Sequence, residues 1–202
     1  RNIAFITLGF IAVAVEKNIE VYIAKIMEVV RTSLPQKDTP VKKKPTLDVA
    51  VFNCITLLSH AVKNGISKDV KDLLEPMFST GLTPALTICL RELAENIPNI
   101  KRDISEFLLK MLSQVLLSKP QPQTGTPKHN ITAQFAALTI QGGDSSQPDV
   151  STIVLALRTL GTFQFESNNL LPFVQRCADY FLINEQQEIR IEAVQTCSSL
   201  LK

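Results

Sequence analysis

The residues from 170 to 201 constrain the fold more strongly than any other part of this sequence. Two stretches of apolar residues at helical spacing, three and four positions apart, meet at a short polar turn over 184–187. The second stretch carries the string E-I-R-x-E-A, which begins at Glu188. A single pair of such helices cannot bury enough apolar surface to be stable alone. The pattern therefore predicts a helical hairpin that stacks on similar hairpins.

Composition agrees with helix-on-helix packing. Hydrophobic residues make up 45% of the 202 residues, but aromatic residues only 6%, and there is no tryptophan. The net charge of +2 gives no overall field that would favour nucleic acid or an acidic membrane. The basic loop formed by Lys37 and 42–44 is predicted to be a solvated turn, with contact to an acidic partner or a lipid headgroup as the alternative. No aromatic residues interleave with these lysines, which disfavours stacking on single-stranded nucleic acid.

We expect an all-α fold, a HEAT-type α-solenoid in which antiparallel helix pairs form a superhelix. About four hairpins should follow a leading helix, and all should belong to one solenoid segment over 1–202. A stretch rich in Pro, Gly, Gln and Ser at 119–148 is expected to be a disordered insertion. The predicted units are the leading helix 1–15 and the repeats 18–62, 67–97, 100–161 (which contains the insertion) and 168–201.

The leading helix is predicted to be buried on most sides, because almost every residue from 3 to 15 is apolar. These roughly thirteen residues fall short of the ~20 that a membrane span needs. A secretory signal, with 12–14 as the cleavage-like motif, is the alternative interpretation.

Local signals place several helix ends. We expect one helix to run from Asn18 to Pro35, and another to end through a left-handed glycine at Gly65. Ser67 is predicted to cap the helix that follows. The clearest start is Thr83 followed by proline, because the hydroxyl can accept a first-turn N–H and proline lacks the N–H that would have no partner.

Four residues are predicted to serve the stacking of helices. Small side chains at Ala156 and Ala193 would let neighbouring backbones approach closely. Arg158 lies in the same predicted helix as Ala156. Arg190 is predicted to form hydrogen bonds or ion pairs across the inter-repeat turn, with ligand binding as the alternative.

The sequence contains no pattern typical of a catalytic, cofactor-binding or metal site, such as a glycine-rich phosphate loop or a zinc-type cysteine spacing. The four cysteines are expected to be buried, reduced thiols of an intracellular protein. Three residues in predicted loops match short phosphorylation motifs: Thr39, Thr126 and Ser146. A formal glycosylation sequon at 130–132 is expected to stay unmodified.

Five strings carry a more specific signal: LLEPMFSTGLTPALT (73–87), FLLKMLSQVLLSKP (107–120), LALRTLGTFQFE (155–166), FVQRCADYFL (173–182) and EIRIEAVQTCSSLL (188–201). In this order they resemble the N-terminal HEAT region of the target of rapamycin (TOR) kinases. The resemblance runs nearly end to end and weakens only at 36–46 and in the insertion.

The resemblance implies a large intracellular serine/threonine protein kinase of the phosphatidylinositol-3-kinase-related class, which acts in growth signalling. In that family the N-terminal solenoid is a scaffold that carries Raptor-type or Rictor-type subunits, helps to form a dimeric complex, and positions substrates and the small GTPase Rheb. The resemblance also implies a cytoplasmic location with peripheral association to lysosomal and other endomembranes. The family's catalytic residues match no position here, so the resemblance implies no cofactor in this segment.

Two functions other than a TOR scaffold stay open on the residues alone. The first is an importin-like or phosphatase-scaffold-like solenoid with no kinase attached, which would have the same helical pattern. The second is a helical enzyme of unrecognised type, for which no residue here is a credible nucleophile.

Overall fold

The computed structural model describes residues 2–35, 49–117, 148–165 and 170–200. These residues form nine α-helices and three short 3₁₀ segments, and the described ranges contain no β-strand. The 3₁₀ segments are Glu16–Tyr22, Lys63–Ile66 and Pro98–Ile100. The helices are α1 (Asn2–Val15), α2 (Ile23–Arg31), α3 (Val49–Val62), α4 (Ser67–Ser79), α5 (Pro84–Asn96), α6 (Lys101–Leu117), α7 (Val150–Thr162), α8 (Leu170–Phe181) and α9 (Gln187–Leu200).

The helices pack in two layers. In the first layer, α2 contacts α4, α4 contacts α6, and α6 contacts α8. In the second layer, α1 contacts α3, α3 contacts α5, and α7 contacts α9. Contacts between α5 and α6, α6 and α7, and α8 and α9 join the layers. The arrangement confirms the predicted all-α solenoid, while the division into repeats at 18–62, 67–97, 100–161 and 168–201 stays a prediction.

A continuous apolar core runs between the layers and draws on all nine helices. The periodic leucines of α5 show why: Leu86, Leu90 and Leu93 lie on one helix face and are fully buried. In the first layer, the rings of Phe78 and Phe107 stack with their centres 5.4 Å apart, which joins α4 to α6.

The leading helix is less buried than the sequence indicates. Only Phe5, Gly9 and Ala12 of α1 are buried, and they form the face that packs on α3. The approach is close, because a Cβ placed on Gly9 would lie 2.5 Å from Cδ1 of Leu57. The prediction of burial on most sides is wrong for the described chain, since a nearly all-apolar sequence does not indicate how many faces have a neighbour.

The ends of two second-layer helices also differ from expectation. The residue after α1, Glu16, and the residue after α3, Lys63, adopt left-handed conformations with φ of 49° and 51°. Each begins a 3₁₀ segment, so the helix predicted from Asn18 is α-helical only from residue 23. Gly65 does not adopt the left-handed conformation, and Ser67 begins α4 without acting as a side-chain cap.

The start of α5 behaves as the sequence predicts. The Thr83 hydroxyl accepts a hydrogen bond from the Leu86 N–H at 3.2 Å, and proline occupies the first position of α5. Gly81, which follows α4, has φ of +89°. The carboxylate of Asp149 caps α7 by accepting from the Thr152 N–H at 3.0 Å.

The close packing of α9 generates a stability prediction. Ala193 is 2% exposed, whereas its neighbour Val194 is 56% exposed. We expect Ala193→Leu to lower the free energy of unfolding by about 1–3 kcal/mol, because the added methylenes overpack the core. Val194→Leu is the matched control and should change it by less than about 0.5 kcal/mol. Urea unfolding curves measure both values, and equal effects would contradict the assigned packing face.

Candidate protein-interaction surface

An apolar groove of about 520 Å³ lies between α1 and the segment that contains α2. It is open to solvent, and most of its lining side chains are aliphatic. The lining residues are Leu8, Ile11 and Val15 on the α1 side, and Asn18, Ile19, Tyr22, Lys25, Ile26 and Val29 on the other.

The outward face of α1 continues the apolar character of this groove. Ile3 is 80% exposed and Phe10 is 62% exposed, and no residue from 2 to 15 is charged. The next helix of the same layer is more polar, since α3 exposes Asn53 and His60. Large exposed apolar patches mark interaction sites, so the end of the stack that holds α1 is the first candidate surface.

The packing contact between α7 and α9, which we call the α7–α9 joint, contains hydrogen bonds as well as a close approach of the two backbones. Arg158 donates two hydrogen bonds to the carboxylate of Glu192, from Nη2 to Oε2 at 2.7 Å and from Nε to Oε1 at 3.3 Å. The Thr196 hydroxyl donates a buried hydrogen bond to the Leu157 carbonyl at 2.8 Å. A Cβ placed on Gly161 would lie 3.0 Å from the Thr196 Cα, so glycine permits the approach. The bidentate pair fixes the rotation of one helix against the other.

The structure places the four predicted stacking residues in two groups. Ala156 and Ala193 are buried, and Arg158 forms the ion pair between α7 and α9. Arg190 lies at the turn between α8 and α9, where its Nη1 donates hydrogen bonds to the carbonyls of Asn184 and Glu185 at 2.8 Å each. The stacking role of all four residues stays a prediction. Sequence reasoning missed Glu192 and Thr196 as partners, since both contacts join residues far apart in the chain.

Other polar side-chain pairs join neighbouring helices within a layer. His60 Nε2 lies 3.2 Å from Glu92 Oε2, which bridges α3 and α5. Lys71 Nζ lies 3.0 Å from Asp103 Oδ2, which bridges α4 and α6. The two pairs span the same number of positions in the sequence, as expected where successive helix pairs repeat.

The thiols lie in two environments. Burial raises the pKa of Cys54 to about 11 and those of Cys89 and Cys177 to about 12, because an apolar surrounding disfavours the thiolate. Cys197 is half-buried. All four thiols are free.

Some sequence predictions fall outside the described ranges, namely Thr39, Thr126, Ser146, the sequon and the basic loop. Within those ranges, no group of three or more His, Cys, Asp or Glu side chains could hold a metal ion. By length and composition alone, two continuous helical stretches, Asn2–Arg31 and Val49–Ser79, are long and apolar enough to cross a membrane. Core helices and signal sequences pass the same test, so this is weak evidence of a span.

Together these features define a segment of an all-helical solenoid whose candidate sites are helix faces. No protein-family model matches the chain. Over its whole length it is 55% identical to "Serine/threonine-protein kinase mTor" of Drosophila melanogaster. It is 36% identical over 98% of the chain to "Serine/threonine-protein kinase tor1" of Schizosaccharomyces pombe, and 29% identical over the whole chain to "Serine/threonine-protein kinase TOR" of Arabidopsis thaliana.

The chain spans only 8% of the length of each of these three relatives. It belongs to the TOR family of serine/threonine-protein kinases, as a segment of a TOR protein. The resemblance read from the sequence is therefore confirmed.

The Arg158–Glu192 pair provides a test of the polar joint. Arg158→Ala should lower the free energy of unfolding by about 1–2 kcal/mol, because it leaves a carboxylate that is only 9% exposed without its charged donor. A double-mutant cycle with Glu192→Ala should give a coupling energy of about 1 kcal/mol. The matched control is Arg102–Glu106, an exposed Arg–Glu pair within α6, for which about 0.3–0.5 kcal/mol is expected. Equal coupling in both cycles would contradict a special role for the joint.

Thiol labelling provides a second test. In the folded chain at pH 8, a disulfide reagent should label Cys197 quickly and the other three thiols only as fast as the protein opens, because burial removes both access and thiolate. Cys197→Ser should abolish the fast phase and leave the slow phase unchanged. Fast labelling of two or more thiols would show that the α3, α5 or α8 environment is more open than described.

Proposed function

We propose that this chain is a non-catalytic scaffold segment of a TOR-type serine/threonine protein kinase and serves complex assembly and growth signalling. The observation that carries the proposal is 55% identity across the whole chain to a protein kinase of which the chain spans only 8%. Helix stacks of this kind expose long surfaces formed by successive repeats, and other proteins bind to such surfaces. The parent protein's kinase activity belongs to the same proposal.

The described surface supports a role in holding protein subunits. The outward side of α5 combines Arg91 and Glu95 with Ile88, which is 51% exposed. Leu171 on α8 is 76% exposed on the other layer. Apolar anchors surrounded by polar residues are typical of subunit interfaces. We propose that the partners are Raptor-type or Rictor-type subunits, with a second TOR copy and the GTPase Rheb as further partners of the assembly.

The proposed location is the cytoplasm, with peripheral association to lysosomal and other endomembranes through the parent complex. An adaptor or transport solenoid without a kinase is not favoured, since the three relatives named above are all kinases.

The test uses the full-length parent protein with one exposed apolar residue changed in each layer, Ile88→Asp or Leu171→Asp. We expect at least one variant to reduce recovery of a co-purifying subunit by fivefold or more, because a charge replaces an interface anchor. Phosphorylation of a short peptide substrate should stay within twofold of the unchanged protein. Quantitative mass spectrometry of the purified complex measures the first quantity, and a kinase assay the second.

Two results would contradict the proposal. One is full recovery of every subunit with both variants. The other is phosphoryl transfer by a parent protein from which the catalytic domain has been deleted, since that would place activity in the remaining polypeptide.

A further inference from the structure

The turn between α8 and α9, residues 182–186, presents an apolar tip to solvent. Ile183 is 83% exposed, more than any other large apolar side chain in the described part of the chain, and Leu182 beside it is 39% exposed. By contrast, Leu82, in the turn that joins α4 to α5, packs against the core. Folding of the described residues therefore leaves the apolar surface of Ile183 in water.

Hydrogen bonds hold this turn in one conformation. Arg190 Nη1 donates to the carbonyls of Asn184 and Glu185 at 2.8 Å each. The side-chain oxygen of Asn184 accepts a hydrogen bond from the Gln186 N–H at 2.9 Å. Because the backbone around Ile183 is already fixed, a partner that binds the tip does not have to order the turn.

The surface around the tip is acidic. Residues 177–189 carry three acidic side chains and no basic one, and the acidic side chains are exposed: Asp179, Glu185 and Glu188. Within the described ranges, none of the three forms an ion pair. The cations that flank this stretch are Arg176 and Arg190, and Arg190 is engaged by the carbonyls of the turn. An apolar tip with acidic surroundings complements an apolar pocket with a basic edge.

We propose that the α8–α9 turn is the contact point for a protein subunit that offers an apolar pocket for Ile183, with lysine or arginine side chains at the edge of the pocket. The inference rests on the proposed function in one respect, that this segment holds protein subunits. Ile183 is the anchor, and the three carboxylates select a partner of opposite charge. A membrane surface fits less well, because anionic lipid headgroups repel the carboxylates.

The experiment places a photo-crosslinking amino acid at position 183 of the full-length protein in its purified complex and identifies the cross-linked peptides by mass spectrometry. We expect position 183 to capture one other protein subunit. Val21 is the matched control: it is 82% exposed but lies in the segment that joins α1 to α2, so it should not capture the same peptide. Capture of the same polypeptide, of a second copy or of a lipid at position 183 would overturn the proposal, as would the absence of any cross-link.

Substitutions then separate the anchor from the charges around it. Ile183→Asp should reduce recovery of the captured subunit fivefold or more, whereas Ile183→Leu should leave it within twofold. Asp179→Lys combined with Glu185→Lys should slow association of that subunit with the full-length protein about tenfold at low salt and much less at high salt, because complementary charges act mainly on the rate of encounter.

Equal recovery with Ile183→Asp and Ile183→Leu would contradict the anchor, and association that is unchanged or faster after the charge reversal would contradict the basic edge. Recovery of subunits with Ile88→Asp and Leu171→Asp reports separately on the scaffold function. That function survives if only the results at the α8–α9 turn fail.

Discussion

Burial of one helix against the next is the interaction on which this structure depends. No helix here has a core of its own, and an isolated pair would leave one long apolar face in water. Leu90 and Leu108 are fully buried because α5 and α6 each have neighbours on more than one side. The layers follow from this requirement, since each helix is stable only where adjacent helices cover its apolar stripe.

The interactions that hold neighbouring helices together differ along the stack. At α1 and α3, glycine and aliphatic side chains make the contact, and Gly9 sets how closely the two backbones approach. At α7 and α9, Gly161 again permits close approach, but a bidentate ion pair and a buried hydroxyl add direction. Apolar contact tolerates small rotations of one helix over the other. Directed hydrogen bonds do not, so the second joint defines its angle more sharply.

Helical periodicity made the fold class and most helices predictable, because an apolar face of period 3.6 reflects burial directly. The start of α5 was predictable for the same local reason, since Thr83 and its following proline act within one turn. The ends of α1 and α3 were not, because Glu16 and Lys63 adopt a backbone conformation that their side chains do not favour. The partner of Arg158 could not be predicted, since Glu192 is 34 residues away. The groove between α1 and α2 could not be predicted either. Apolar residues in a sequence indicate that a helix face is covered, but they do not indicate what covers it.

The two-layer order has a mechanical consequence. Because helices contact their neighbours along the stack, a force applied at its ends passes through the joints one after another, as through springs in series. Each joint then carries the same load, and the most compliant one contributes most of the extension. The directed bonds between α7 and α9 make that joint stiff in rotation, so twisting would concentrate at the joints held by apolar contact alone. An elastic support of this kind can change its curvature while every helix stays folded.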